Sequence, residues 1–149
     1  MVLANDHPAF FTATCLEWKH LLEDDSMKEV ILVSLRFLVK ENRVNVYAFC
    51  IMNNHIHLIW QMLREHKREN VQRDFLKYTG QQILRRLRQV NSHHVTEVFV
   101  DASDRKYQIW ERNALSISLV SHQFVEQKFD YIHMNPLKAG LCKYPADYQ

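Results

Sequence analysis

The segment RVNVYAFCIM-NN-HIHLIWQM, residues 43–62, constrains the fold of this chain more than any other stretch. Two apolar runs rich in β-branched and aromatic residues, separated by two asparagines, read as strands of one antiparallel hairpin. Asparagine tolerates positive φ, so Asn53-Asn54 is expected to form the tight turn between them. Side chains alternate along a strand, which places His55, His57 and Ile59 on one face and Ile56, Leu58 and Trp60 on the other. Two imidazoles thus share a face with buried aliphatic residues.

The flanking elements follow from periodicity. AFFTATCL, residues 9–16, reads as a first strand. Asp24, Asp25 and Ser26 offer N-cap chemistry ahead of Met27, and Val30, Ile31, Leu35 and Leu38 continue at helical spacing to about Lys40. After a polar break at Asn42 and the hairpin, Leu76, Gly80, Ile83, Leu87 and Val90 mark the apolar stripe of a long helix from about Arg68 to Val90. VTEVFV (95–100) is expected as a short strand, and residues 107–120 as extended chain with a turn near Asn113. Ser121 can cap a last helix through Phe124, Val125, Lys128, Phe129, Tyr131 and Ile132, which Pro136 should end. The order implies an α+β domain on a mostly antiparallel sheet, with the split βαβ arrangement of ferredoxin-like folds.

A chain of 149 residues fits one domain over 1–149. Apolar residues at 47% and charged residues at 24% argue against disorder, and no apolar run approaches the roughly 20 residues that cross a bilayer. The N-terminal residues lack the basic flank and apolar run of a signal peptide, so a cytoplasmic location without membrane association is expected. Cys15, Cys50 and Cys142 are odd in number and far apart, which favours reduced, packed thiols. A net charge of +2 says little about nucleic acid, so any DNA surface must come from local clustering.

Three groups of residues could carry chemistry. His55 and His57, about 6.5 to 7 Å apart along a strand, can converge on one metal ion or form a satisfied core pair. His93-His94 is a rival pair, but neighbours diverge in a strand and NSHHVTE reads as a loop. Tyr131 and Asn135, four apart on a helix, can address one bound group, or else pack a ring and close the helix. Arg73, Lys77, Arg85 and Arg88 fall in one helical sector of roughly 120°, a candidate phosphate-binding flank or a solvated face. Lys67, Arg68, Arg105 and Lys106 could extend it. Tyr107 and Trp110 could stack on bases or sit in the core.

NNHIHLIW resembles the His-hydrophobic-His signature of HUH single-strand nucleases, and DYIHMNPLKAGL resembles the tyrosine-bearing helix of their small single-tyrosine transposases. In order, FFTATCLEWKHLL, VYAFCIMNNHIHLIW, VQRDFLKYTGQQIL, DRKYQIWERNALSI and YIHMNP are similar to REP-associated tyrosine transposases over about residues 10–148. The resemblance implies a divalent metal ion, Mg²⁺ or Mn²⁺, held by His55, His57 and Asn135, with Tyr131 as the nucleophile. It implies single-stranded DNA bearing a hairpin as partner, and a protein acting as monomer or homodimer. Asn53 stands where many relatives carry proline, which alters the turn and not the ligands. Two other functions fit the same residues: a domesticated hairpin-binding module without chemistry, and a hydrolase using water while Tyr131 positions substrate.

Overall fold

A computed structural model describes residues 7–63 and 65–138, with side chains as far as His133. Four strands form one sheet: β1 (Ala9–Thr14), β2 (Val44–Ile51), β3 (His55–Met62) and β4 (Leu115–Ser118). Their order is β2-β3-β1-β4, and every neighbouring pair is antiparallel. α1 (Asp25–Lys40) joins β1 to β2, and α2 (Arg68–Gln89) lies between β3 and β4. This is the expected ferredoxin-like arrangement. A four-residue α3 (His94–Glu97) follows α2, and α4 (His122–Lys138) follows β4.

Strand alternation divides the core into two layers. Phe11, Ile56, Leu58 and Trp60 pack with Ile31 and Leu35 of α1 and with Val71, Phe75 and Ile83 of α2. Phe11, Trp60 and Phe75 form an aromatic centre, with Trp60 5.2 Å from Phe11 and 5.5 Å from Phe75. Each such fully buried side chain contributes about 1.5–3 kcal/mol relative to exposure. On the opposite face Phe10, Ala48, Cys50 and Ile59 meet Ile132, Val125 and Phe129 of α4.

Local signals explain the boundaries. The Asp24 carboxylate accepts the Ser26 N–H at 2.8 Å and opens α1, while Ser121 Oγ accepts the Phe124 N–H at 3.2 Å and opens α4. The turn at Asn53-Asn54 forms, but neither residue has positive φ; that conformation occurs instead at Asn42, Asn91 and Asn113. Asn53 and Asn54 are fixed by their carbonyls, which accept the Leu22 and Cys15 N–H groups at 2.9 and 2.8 Å. Cys15 and Cys50 are buried thiols, and Cys142 lies outside the described residues.

Three expectations differ. The buried stripe of α2 is Val71, Phe75, Thr79, Ile83 and Leu87, rotated from the predicted one, and Val90 is exposed. Apolarity misses Thr79 because its hydroxyl is satisfied inside, donating to the Phe75 carbonyl at 2.7 Å and accepting Trp110 Nε1–H at 3.0 Å. Residues 94–97 form a helical turn and not a strand, since Ser92 Oγ caps the His94 N–H at 3.1 Å and overrides the β-branched composition. α4 continues through Pro136 to Lys138, so Asn135 has helical backbone. The missing proline N–H forfeits one bond to the preceding turn, a loss tolerated close to a helix end. Among the described residues, no helix is long and apolar enough to cross a membrane.

Candidate active site

His57 stands opposite Thr12 of β1 and Cys50 of β2 in the middle of the sheet. It is 4% exposed, stacked on Phe10 at 5.4 Å and 15° between planes. Its Nδ1 lies 2.8 Å from Thr12 Oγ1, while its Nε2 is buried without a hydrogen-bond partner among the described residues. In the tautomer with Nδ1–H donating to Thr12, Nε2 presents its lone pair, the form a metal ligand needs. Burial, with smaller contributions from His55 and Lys128, pushes the His57 pKa down to about 3. The ring therefore stays neutral at physiological pH.

His55 lies on the same face, its ring 4.8 Å from that of His57 at 74°. Its Nδ1 is 2.7 Å from Asn54 Oδ1, an atom that only accepts, so the proton sits on Nδ1 and the lone pair on Nε2. Burial lowers its pKa as well. Two neutral imidazoles, each held at Nδ1 by a neighbouring oxygen, suit a divalent ion, and the orphaned His57 Nε2 fits one in particular.

α4 brings Tyr131 to this pair. Its ring stands edge-on to His57 at 5.2 Å and to Phe10 at 6.0 Å, and the residue is 45% exposed. Asn135 follows one turn later on α4, and its side chain lies outside those described. His133 is exposed and packs toward Phe129 at 6.3 Å. Two further groups were not singled out from the sequence. Lys128 Nζ sits 4.7 Å from the Phe10 ring centre and 5.6 Å from that of Tyr131, a placement its spacing of three residues from Tyr131 could have signalled. Trp18 is 62% exposed, its ring 6.1 Å from His55. It is held there by positive φ at Glu17 and at Trp18 itself, which no local pattern announces.

The four basic candidates lie in the other layer. Arg73, Lys77, Arg85 and Arg88 are all exposed on α2, which packs on the sheet face opposite His57. Arg73 and Lys77 line a groove of about 710 Å³ between α2 and residues 104–114, together with Arg105, Arg112 and the carboxylates Asp104 and Glu111. Arg73 pairs with Asp74 at 3.3 Å, and the Arg88 guanidinium lies 4.7 Å over Tyr107. Arg85 does not line this groove, and Trp110 is core, bonded to Thr79.

No family model and no curated protein matches the sequence. Among solved structures, a REP-associated tyrosine transposase bound to a REP hairpin superposes with a TM-score of 0.69 at 15% identity, covering 99% of this chain and 77% of the other. The chain shares that transposase fold. A candidate transposase from Deinococcus radiodurans R1 superposes with a TM-score of 0.56 at 13% identity, covering 89% and 94%. The transposase fold supplies the same α+β scaffold that the motifs resemble, over nearly the whole chain.

Proposed function

We propose that this chain is a metal-dependent nuclease and strand transferase for single-stranded DNA, cutting beside hairpins through Tyr131. The observation that carries this is the Tyr131 ring packed on His57, whose buried Nε2 has no partner among the described residues, within a transposase fold. His55 and His57 would hold a divalent ion, with Asn135 as a third donor from the following helical turn. Bound there, such an ion supplies Lewis-acid polarisation of the scissile phosphate. Imidazole donors favour Mn²⁺ over the harder Mg²⁺.

The chain's own groups do the remaining chemistry. Tyr131 Oη attacks phosphorus and gives up its phenolic proton; the bond from phosphorus to the 3′-oxygen breaks, and that oxygen leaves as a hydroxyl after gaining a proton. The 5′-phosphotyrosine conserves the phosphodiester, so the cut can be resealed to another 3′ end. The Lys128 ammonium beside Tyr131 favours both a developing phenolate and an incoming phosphate. Trp18 offers an exposed stacking face for an unpaired base next to His55. The packing of the Tyr131 ring at 5.2 Å from His57 of the same chain supports attack in cis. On the far face, Lys77 and its basic neighbours contact phosphates of the hairpin stem.

The test is incubation with hairpin-bearing single-stranded DNA and Mn²⁺, read on a denaturing gel. A protein–DNA adduct that forms with the wild type and not with Tyr131→Phe is the expected result. Cleavage that persists in Tyr131→Phe would make water the nucleophile. Tight binding without cleavage across a panel of hairpins would leave a binding module.

A further inference from the structure

His93, His94 and Glu97 lie outside the proposed active site, and no step of the proposed reaction uses them. Their convergence follows from the helical turn that replaces the predicted strand: with Ser92 Oγ capping His94, residues 93, 94 and 97 fall on one turn. His93 Nε2 is 3.6 Å from Glu97 Oε1, and His94 Nδ1 is 3.5 Å from Glu97 Oε2. One donor atom from each residue lies within 4.8 Å of the other two. Donors around a four-coordinate ion with bonds of about 2.1 Å stand roughly 3.4 Å apart, so small side-chain rotations suffice to close the set. A second observation points the same way. Among the described residues His94 Nδ1 is buried and lacks a hydrogen-bond partner, the 3.5 Å approach of Glu97 being too long to satisfy it.

We propose that His93, His94 and Glu97 form a second cation site, selective for a transition-metal dication of the Zn²⁺ or Co²⁺ class, with water completing the coordination. Two imidazoles and one carboxylate suit that class and not Mg²⁺. Lys19 tunes the site: its ammonium lies 3.4 Å from Glu97 Oε2 and competes for the same carboxylate. A bound ion would brace the α3 turn and draw Glu97 away from Lys19, without touching the reacting atoms.

The experiment titrates the full wild-type chain with Co²⁺, following visible absorption and the imidazole ¹H–¹⁵N resonances, beside His93→Ala, Glu97→Gln and Lys19→Gln. The His93 ring is 79% exposed, so its removal does not threaten the fold. The expected result is perturbation of the His93 and His94 resonances, loss of one bound ion or at least roughly tenfold weaker binding in His93→Ala and Glu97→Gln, and tighter binding in Lys19→Gln. Unperturbed His93 and His94 resonances at millimolar Co²⁺, or binding unchanged in both variants, would overturn the site. No DNA enters this measurement, so failure of the Tyr131 adduct experiment leaves it untouched.

Discussion

On the α4 face of the sheet, His57 is buried and held neutral among Phe10 and Tyr131, with the half-buried His55 beside it; on the α2 face, Arg73, Lys77, Arg85 and Arg88 stay exposed, the first two lining a groove. One strand serves both layers, because β3 sends His57 toward α4 and Leu58 and Trp60 toward α2. The difference teaches that the dehydrated imidazoles and the basic flank of α2 are kept apart by the thickness of a sheet, with Lys128 a single cation placed on the imidazole side. Burial keeps an imidazole neutral, with its lone pair open to a metal, over a wider pH range, whereas hydration keeps lysine and arginine charged and so able to attract phosphate. DNA engaging both faces would pass around an edge of the sheet. β4 is the edge tied to α2, through the Gln72–Ser116 hydrogen bond of 2.8 Å.

The sharpest break of this division is Tyr131→Phe. It should reduce adduct formation on the order of 10⁴-fold while leaving hairpin affinity unchanged, measured by gel and by fluorescence anisotropy on one substrate. Equal losses in both would mean that the two faces do not divide the work.

A second, smaller effect is the pH dependence of stability in metal-free protein. The unfolded chain has His57 at its ordinary 6.5 and the folded chain at about 3, so between these values the unfolded state binds the extra proton. The stability is complete above about pH 6.5 and is lost as pH falls toward 3, at up to about 1.4 kcal/mol per pH unit. His55 adds in the same direction. Urea unfolding from pH 7 to 4.5 checks this, and His57→Phe should flatten the slope; an equally steep slope in that variant would deny His57 its buried neutral state.

Much of this was legible in the sequence where one local signal dominated. Asp24 and Ser121 announced their helices, and the alternation of β3 put His55 and His57 on a common face. Legibility failed where a tertiary partner, or a side-chain cap two residues away, reversed the preference of composition. Thr79 reads as polar but is buried against Trp110, and VTEVFV reads as strand but is turned by the Ser92 cap. The site behaved the same way: the family resemblance gave Tyr131 and helical phase gave the basic residues of α2, but not the layer each would occupy, because helix phase says which face is apolar and not which side of the sheet it meets. Thr12 could be assigned to His57 only through the β1–β3 register.

Thr12 gives the next prediction. Thr12→Val keeps the shape of the side chain and removes the oxygen at 2.8 Å from His57 Nδ1. Mn²⁺ affinity should fall about 10–100-fold and stability by about 1 kcal/mol, with Thr12→Ser restoring most of both. Calorimetric titration that finds the Val variant equal to wild type would show that His57 needs no such orientation.

The smallest expected effect lies on the opposite face. Lys77 lines the groove beside Arg73, but the neighbouring carboxylates Asp104 and Glu111 already offset part of the local charge, and Arg73 is engaged by Asp74. Lys77→Ala should therefore weaken hairpin binding only severalfold, and uniformly across hairpin sequences, since a phosphate contact carries no base information. The slope of log affinity against log salt should shrink by roughly 0.9, the signature of one lost phosphate contact on duplex DNA. On the proposed function, cleavage of a DNA already saturating the protein should proceed at the wild-type rate. If Lys77→Ala instead slowed cleavage at saturation, the basic groove would be coupled to the reacting centre across the sheet, and the separation of charge from chemistry would have to be abandoned.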